Sequence, residues 1–174
     1  LCQFEKPQTT QAPSTTTAAP VRTFEDCQAA SGSRSEDGRC YLRQPKQDAT
    51  LSGHQASCGS QGGRPAVFHD IPIPSFLQTG GAWAFPHVFV GLYQTPGSTN
   101  TNASWSWQPG GLPLNSSFWD SADGEPDDDD HTENDHSNVA MLRDGLLADA
   151  NFGSSFKVLC QFEEAITTTT PAAA

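Results

Sequence analysis

Nine of the twenty carboxylates in this 174-residue chain stand between Asp120 and Asp135. They are Asp120, Asp123, Glu125, the run from Asp127 through Asp128 and Asp129 to Asp130, then Glu133 and Asp135. Carboxylates this close repel one another and resist ionising together, and a divalent cation relieves them. A charge run is ordinarily a solvated loop, but one this dense inside a folding segment also points to a cation. Ca²⁺ takes six to eight oxygen ligands of this kind. His131 and His136 flank the acids; loop histidines in water more often titrate than ligate zinc. No nucleophile–base–acid constellation stands out, and loop carboxylates lack the burial that tunes catalytic acids, so an enzyme is not expected. A net charge of −11 argues against nucleic acid as a partner, because phosphates need Lys and Arg.

The elements that must position these acids lie in residues 23–164, long enough for one core. Residues 6–22 and 165–174 are Thr/Pro/Ala tracts that cannot bury enough surface to offset the entropy of ordering. They read as linkers, with the composition of O-glycosylated stalks. The chain opens Leu1-Cys2-Gln3-Phe4-Glu5 and the domain closes Leu159-Cys160-Gln161-Phe162-Glu163, each followed by such a tract. That repetition implies a tandem array: residues 1–5 read as the end of a preceding repeat, and neighbouring domains are expected partners. Cys2 would then have its partner in the missing repeat. Cys27, Cys40, Cys58 and Cys160 can form two bridges in three connectivities. Disulfides and the sequons at Asn102 and Asn115 fit a secreted or extracellular glycoprotein. No signal peptide, membrane span or C-x-x-C spacing is visible.

Within the domain, 39–42 reads as a strand paired to Cys27 through a hairpin. Residues 48–58 read as a helix with Asp48 as N-cap, and Leu51 and Cys58, two turns apart, share one face. Residues 71–78 read as a second short helix. Strands are expected at 88–92, 104–107, 139–142 and 156–162. The stretch 108–137, rich in Gly, Pro, Asn and Asp, reads as a loop long enough to be functional. Two helices early and strands late make an α+β domain.

In this order, the residues over 24–163 resemble a long-form C-type lectin-like domain. Cys40-Tyr41 follows Cys27 as in that family's N-terminal hairpin. Phe89-Val90-Gly91-Leu92 resembles its core W-I-G-L strand, and Trp105 and Trp107 its W-x-W pair. Phe118-Trp119 with Glu125-Pro126-Asp127 resembles the aromatic and E-P-N stretch of its long loop. The resemblance implies two helices with antiparallel sheets, a long polar loop, and bridges Cys27–Cys40 and Cys58–Cys160. The family's usual inner bridge falls near Asn138 and Phe152, neither of them cysteine, so the long loop loses one staple.

The resemblance also implies a Ca²⁺ site with a cis proline at Pro126. Glu125 matches the first ligand, Asp127 stands where Asn is usual, a later Glu falls near Asp135 or His136, and the W-N-D triplet becomes Leu147-Ala148-Asp149. Glu125, Asp127, Asp135 and Asp149, with Asp128 beside them, are therefore the expected metal ligands. Glu125, Asp127 and Trp119 are the expected ligand-binding residues, although Trp119, like Trp105, Trp107 and Phe89, is also a candidate for the core. In sugar-binding members each sugar hydroxyl donates to a carboxylate and accepts from an Asn amide. Ionised Asp and Glu only accept, and Ala148 does neither, so simple mannose or galactose is expected to bind weakly. Three readings stand: a module for glycans or glycoproteins, with avidity across an array; a protein-interaction or structural module; and an acidic loop for calcium or mineral surfaces.

Overall fold

The structure, a computed structural model, describes residues 24–29, 33–34, 38–69, 71–78, 87–98, 101–127, 139–150 and 155–163. The stretches read as a preceding repeat and as linkers lie outside them, as do Asp128, Asp135, His131, His136, Asn138 and Phe152.

In chain order the elements are α1 (Phe24–Ala29), β1 (Ser33–Arg34), β2 (Cys40–Asp48), α2 (Leu51–Gly59), β3 (Arg64–Pro65), α3 (Ser75–Gln78), β4 (Val88–Gln94), β5 (Trp105–Trp107), β6 (Leu112–Pro113), β7 (Val139–Arg143), β8 (Leu146–Ala150) and β9 (Ser155–Phe162). One sheet runs β1-β2-β9-β4-β5-β6, with β3 on β9 and the β7–β8 hairpin on β4. It is antiparallel except where β4 and β9 run parallel, with Val88 opposite Lys157.

Strand β4 is the centre of the domain. Val88, Val90 and Leu92 pack on one side with Trp105, Trp107, Trp119, Leu147 and Leu159. Phe89 and Tyr93 pack on the other with Cys58, Val139, Val158 and Cys160. A strand buried on both faces must be apolar at successive positions, which is why VFVGLYQ does not alternate. Gly91 is required there: a Cβ would lie 2.9 Å from the carbonyl oxygens of both Ala66 and Gln108, and the Gly91 N–H donates to Ala66 at 2.7 Å.

Several sequence expectations change. Cys27 lies in α1 rather than in a hairpin strand; β1 is the strand that pairs with Cys40 and Tyr41. Asp48 ends β2, and Thr50 caps α2 instead, its Oγ1 accepting from the Gly53 N–H at 3.2 Å. The shorter hydroxyl side chain sits where the backbone leaves the strand, which is the place a cap must occupy. Leu51 and Cys58 do pack in one cluster. The helix expected over 71–78 is only Ser75–Gln78, following Pro72 and Pro74. Both bridges form the pairs that the resemblance implied, with Cα–Cα distances of 6.2 Å for Cys27–Cys40 and 5.4 Å for Cys58–Cys160.

Candidate functional site

The site is built on the β7–β8 hairpin. Arg143 and Leu146 pair across a two-residue turn, Asp144 and Gly145, whose φ angles are 50° and 87°. Asp-Gly is a residue pair that accepts positive φ at both turn positions. The hairpin sets Asp149 opposite Ala140. On its flank Trp119 bridges Leu147, and the Asp120 N–H donates to the Leu147 carbonyl at 2.9 Å. The chain then doubles back, with the Glu125 N–H donating to the Asp120 carbonyl at 3.1 Å. That turn brings Glu125 beside Asp149.

Glu125, Asp127 and Asp149 come together, with one carboxylate oxygen of each lying within 4.8 Å of the others. The Asp149 N–H donates to Glu125 Oε2 and the Asp127 N–H to Asp149 Oδ1, both at 3.2 Å. The Glu125–Pro126 peptide is cis. Ca²⁺–oxygen distances of about 2.3–2.6 Å place opposite ligands about 5 Å apart, so the spacing fits one such ion. The donor set is all hard oxygen, which suits Ca²⁺ better than softer metals.

The electrostatics reflect the crowding of these acids. Burial pushes the Glu125 carboxyl up from 4.5 to about 8, and the nearby Asp149 and Asp127 add to the rise. A bound cation would favour the ionised form instead. Ala148, which stands where the resemblance has an amide, is fully buried.

The remaining expected residues lie elsewhere. Trp119 is 4 % exposed and meets Trp105 edge to face at 5.1 Å, so the structure places it in the core. Trp105 and Trp107 are core residues too. Asp135 and Asp128 fall outside the described residues. Asn102 and Asn115 are exposed, and Asn115 Oδ1 accepts from the Ser117 N–H at 3.1 Å and from Ser117 Oγ at 2.9 Å.

Arg143 was not anticipated. Its Nη2 donates to Asp120 Oδ2 at 3.0 Å and to Asp123 Oδ2, and lies 3.7 Å from Glu125 Oε1. Among the described residues the acids thus fall into two groups, Asp120 and Asp123 around an arginine and Glu125, Asp127 and Asp149 with the spacing of a metal. The Asp-Gly turn directly after Arg143 was the available signal, because it fixes a hairpin and hence what flanks the acids.

No protein-family model matches the sequence, and no curated protein matches it. Solved structures do. The carbohydrate-recognition domain of the mouse scavenger receptor C-type lectin matches with a TM-score of 0.58 and 18% identity, over 77% of this chain and 96% of that one. The Kupffer cell C-type lectin receptor, solved as a trimer, gives 0.57 and 20%, over 80% and 87%. The C-type lectin domain of murine dendritic cell inhibitory receptor 2, solved with an N-glycan, gives 0.51 and 18%, over 72% and 91%. What is shared at such identities is architecture: this chain has the C-type lectin-like fold.

Proposed function

We propose that this domain is an extracellular recognition module of the lectin type, in which Glu125, Asp127 and Asp149 hold one Ca²⁺ that orders the ligand-facing loop. The convergence of those three carboxylates within 4.8 Å carries the reading. Several lectin domains share the fold, one of them solved with an N-glycan, which supports glycans as the kind of partner. Direct coordination of a simple sugar is the weak part. Asp127 accepts only, and buried Ala148 offers no amide, so neither of these two positions supplies the donor that a sugar oxygen needs. Recognition through protein contacts around the ordered loop is the second reading, favoured by that same pair. The two disulfides and the exposed sequons support an oxidising, secretory setting. The flanking Thr/Pro tracts support an array in which weak sites combine.

A Ca²⁺ titration followed by thermal unfolding tests the ion. An ion that binds only the folded state raises the midpoint, with about 2.7 kcal/mol gained at a hundredfold excess over Kd. Asp149→Asn should abolish most of that gain. No heat and no shift at millimolar Ca²⁺ would reject the reading. A glycan array run with and without chelator then separates the two kinds of partner. Asp127→Asn, which restores one amide donor, should strengthen any calcium-dependent sugar signal.

A further inference from the structure

Glu125 faces two ways. Its Oε2 accepts from the Asp149 N–H, and its Oε1 lies 3.7 Å from Arg143 Nη2. Arg143 also holds Asp120 and Asp123, and neither belongs to the group with metal spacing. Arg143 ends β7, directly before the Asp144–Gly145 turn, so its backbone is fixed by the hairpin. Asp120 is fixed as well, through its N–H on the Leu147 carbonyl. The guanidinium therefore ties the segment 120–125 to a rigid hairpin at several points.

We infer that Arg143 is a positioning residue for the ion group: it draws Asp120 and Asp123 aside and turns Glu125 so that Oε2 faces Asp149. The affinity arm of this inference rests on the Ca²⁺ reading above; the structural arm does not. The sign of the effect is diagnostic. By charge alone, deleting a cation beside a cation site tightens Ca²⁺ binding. By positioning, deleting it weakens binding, as loss of an outer-shell partner commonly does, by about tenfold or more.

The test compares wild type, Arg143→Gln and Arg143→Lys by calorimetry with Ca²⁺, and by amide hydrogen exchange in chelator. Arg143→Gln should bind Ca²⁺ about tenfold more weakly. Arg143→Lys should recover most of the loss, because the three contacts converge on one nitrogen, which an ammonium can replace. In chelator, Arg143→Gln should lose protection at the Asp127 and Asp149 amides while Val158 in β9 keeps its own. Asp120→Asn, which removes one anchor and keeps the arginine, should show a smaller loss at the same two amides. Unchanged or tighter Ca²⁺ binding by Arg143→Gln would overturn the inference, as would unchanged exchange in both variants. Wild type that binds no Ca²⁺ would reject the ion reading alone. The exchange arm would then decide the role of Arg143.

Discussion

The closing strand β9 and the hairpin β7–β8 both pack around β4 through buried apolar side chains, yet the acidic end of the hairpin is held by different ties from those around β9. Around β9 the ties are covalent and apolar: Cys160 bonds Cys58, and Val158, Cys160 and Phe162 are buried. Around Asp149 the ties are hydrogen bonds from backbone to carboxylate, and one arginine shared among acids. The first region is settled by folding alone. The second gathers carboxylates at an electrostatic cost, so its properties depend on pH.

Removing the covalent tie is the harshest way to probe that contrast. Replacing Cys58 and Cys160 by serine opens a loop spanning 102 residues, and loop-closure entropy puts the loss at roughly 4–5 kcal/mol. Urea unfolding measures it. The Ca²⁺-induced shift of the folded fraction should persist, and its disappearance together with the bridge would break the comparison.

Protons give the next effect, confined to the acidic region. Burial raises the folded pKa of Glu125 to about 8 from 4.5. Between those values the folded state therefore holds a proton that the unfolded state releases. Without Ca²⁺, stability contributed at this group should fall as pH rises from about 4.5 to 8 and level off above. Because Ca²⁺ needs the ionised carboxylate, the stabilisation it gives should grow over the same window. Thermal midpoints in chelator, against Glu125→Gln, check the sign; a slope identical in both proteins would assign it to other groups.

The smallest effect belongs to the covalent region's surface. Arg64 pairs with Glu163, but both side chains are substantially exposed. Arg64→Ala should therefore cost under about 1 kcal/mol, read as a small displacement of the urea midpoint. A loss comparable to that of the bridge would mean that charge matters around β9 as well.

The same contrast explains what was legible in the sequence. The runs at 88–92 and 156–162 and the Trp105–Trp107 pair were readable because burial imposes residue type directly, whereas the cysteine partners came through the resemblance, four cysteines alone allowing three connectivities. Strand β8 was not, since Leu146-Leu147-Ala148-Asp149-Ala150 ends in an acid and small residues that lack strand character. The parallel pairing of β4 with β9 has no local signature either, being a matter of where distant segments meet. At the site, Glu125, Asp127 and Asp149 could be named through the resemblance. The division of labour within the acidic run could not, because it depends on Arg143 arriving from another strand. Trp119 shows the converse: beside a functional loop in sequence, it is claimed by the core through Trp105 and Leu147.

The position of β9 bears on how the domain is joined. Among the described residues, β1 and β2 join β4, β5 and β6 in the sheet through β9. Without residues 155–162, β2 and β4 therefore each lack the neighbour that the sheet gives them on that side, and the backbone groups there have no ladder to join. Cys58 likewise has its partner 102 residues further along the chain. Residues 155–162 close both gaps at once, so β9 is the strand that joins the two sides of the sheet and completes the bridge.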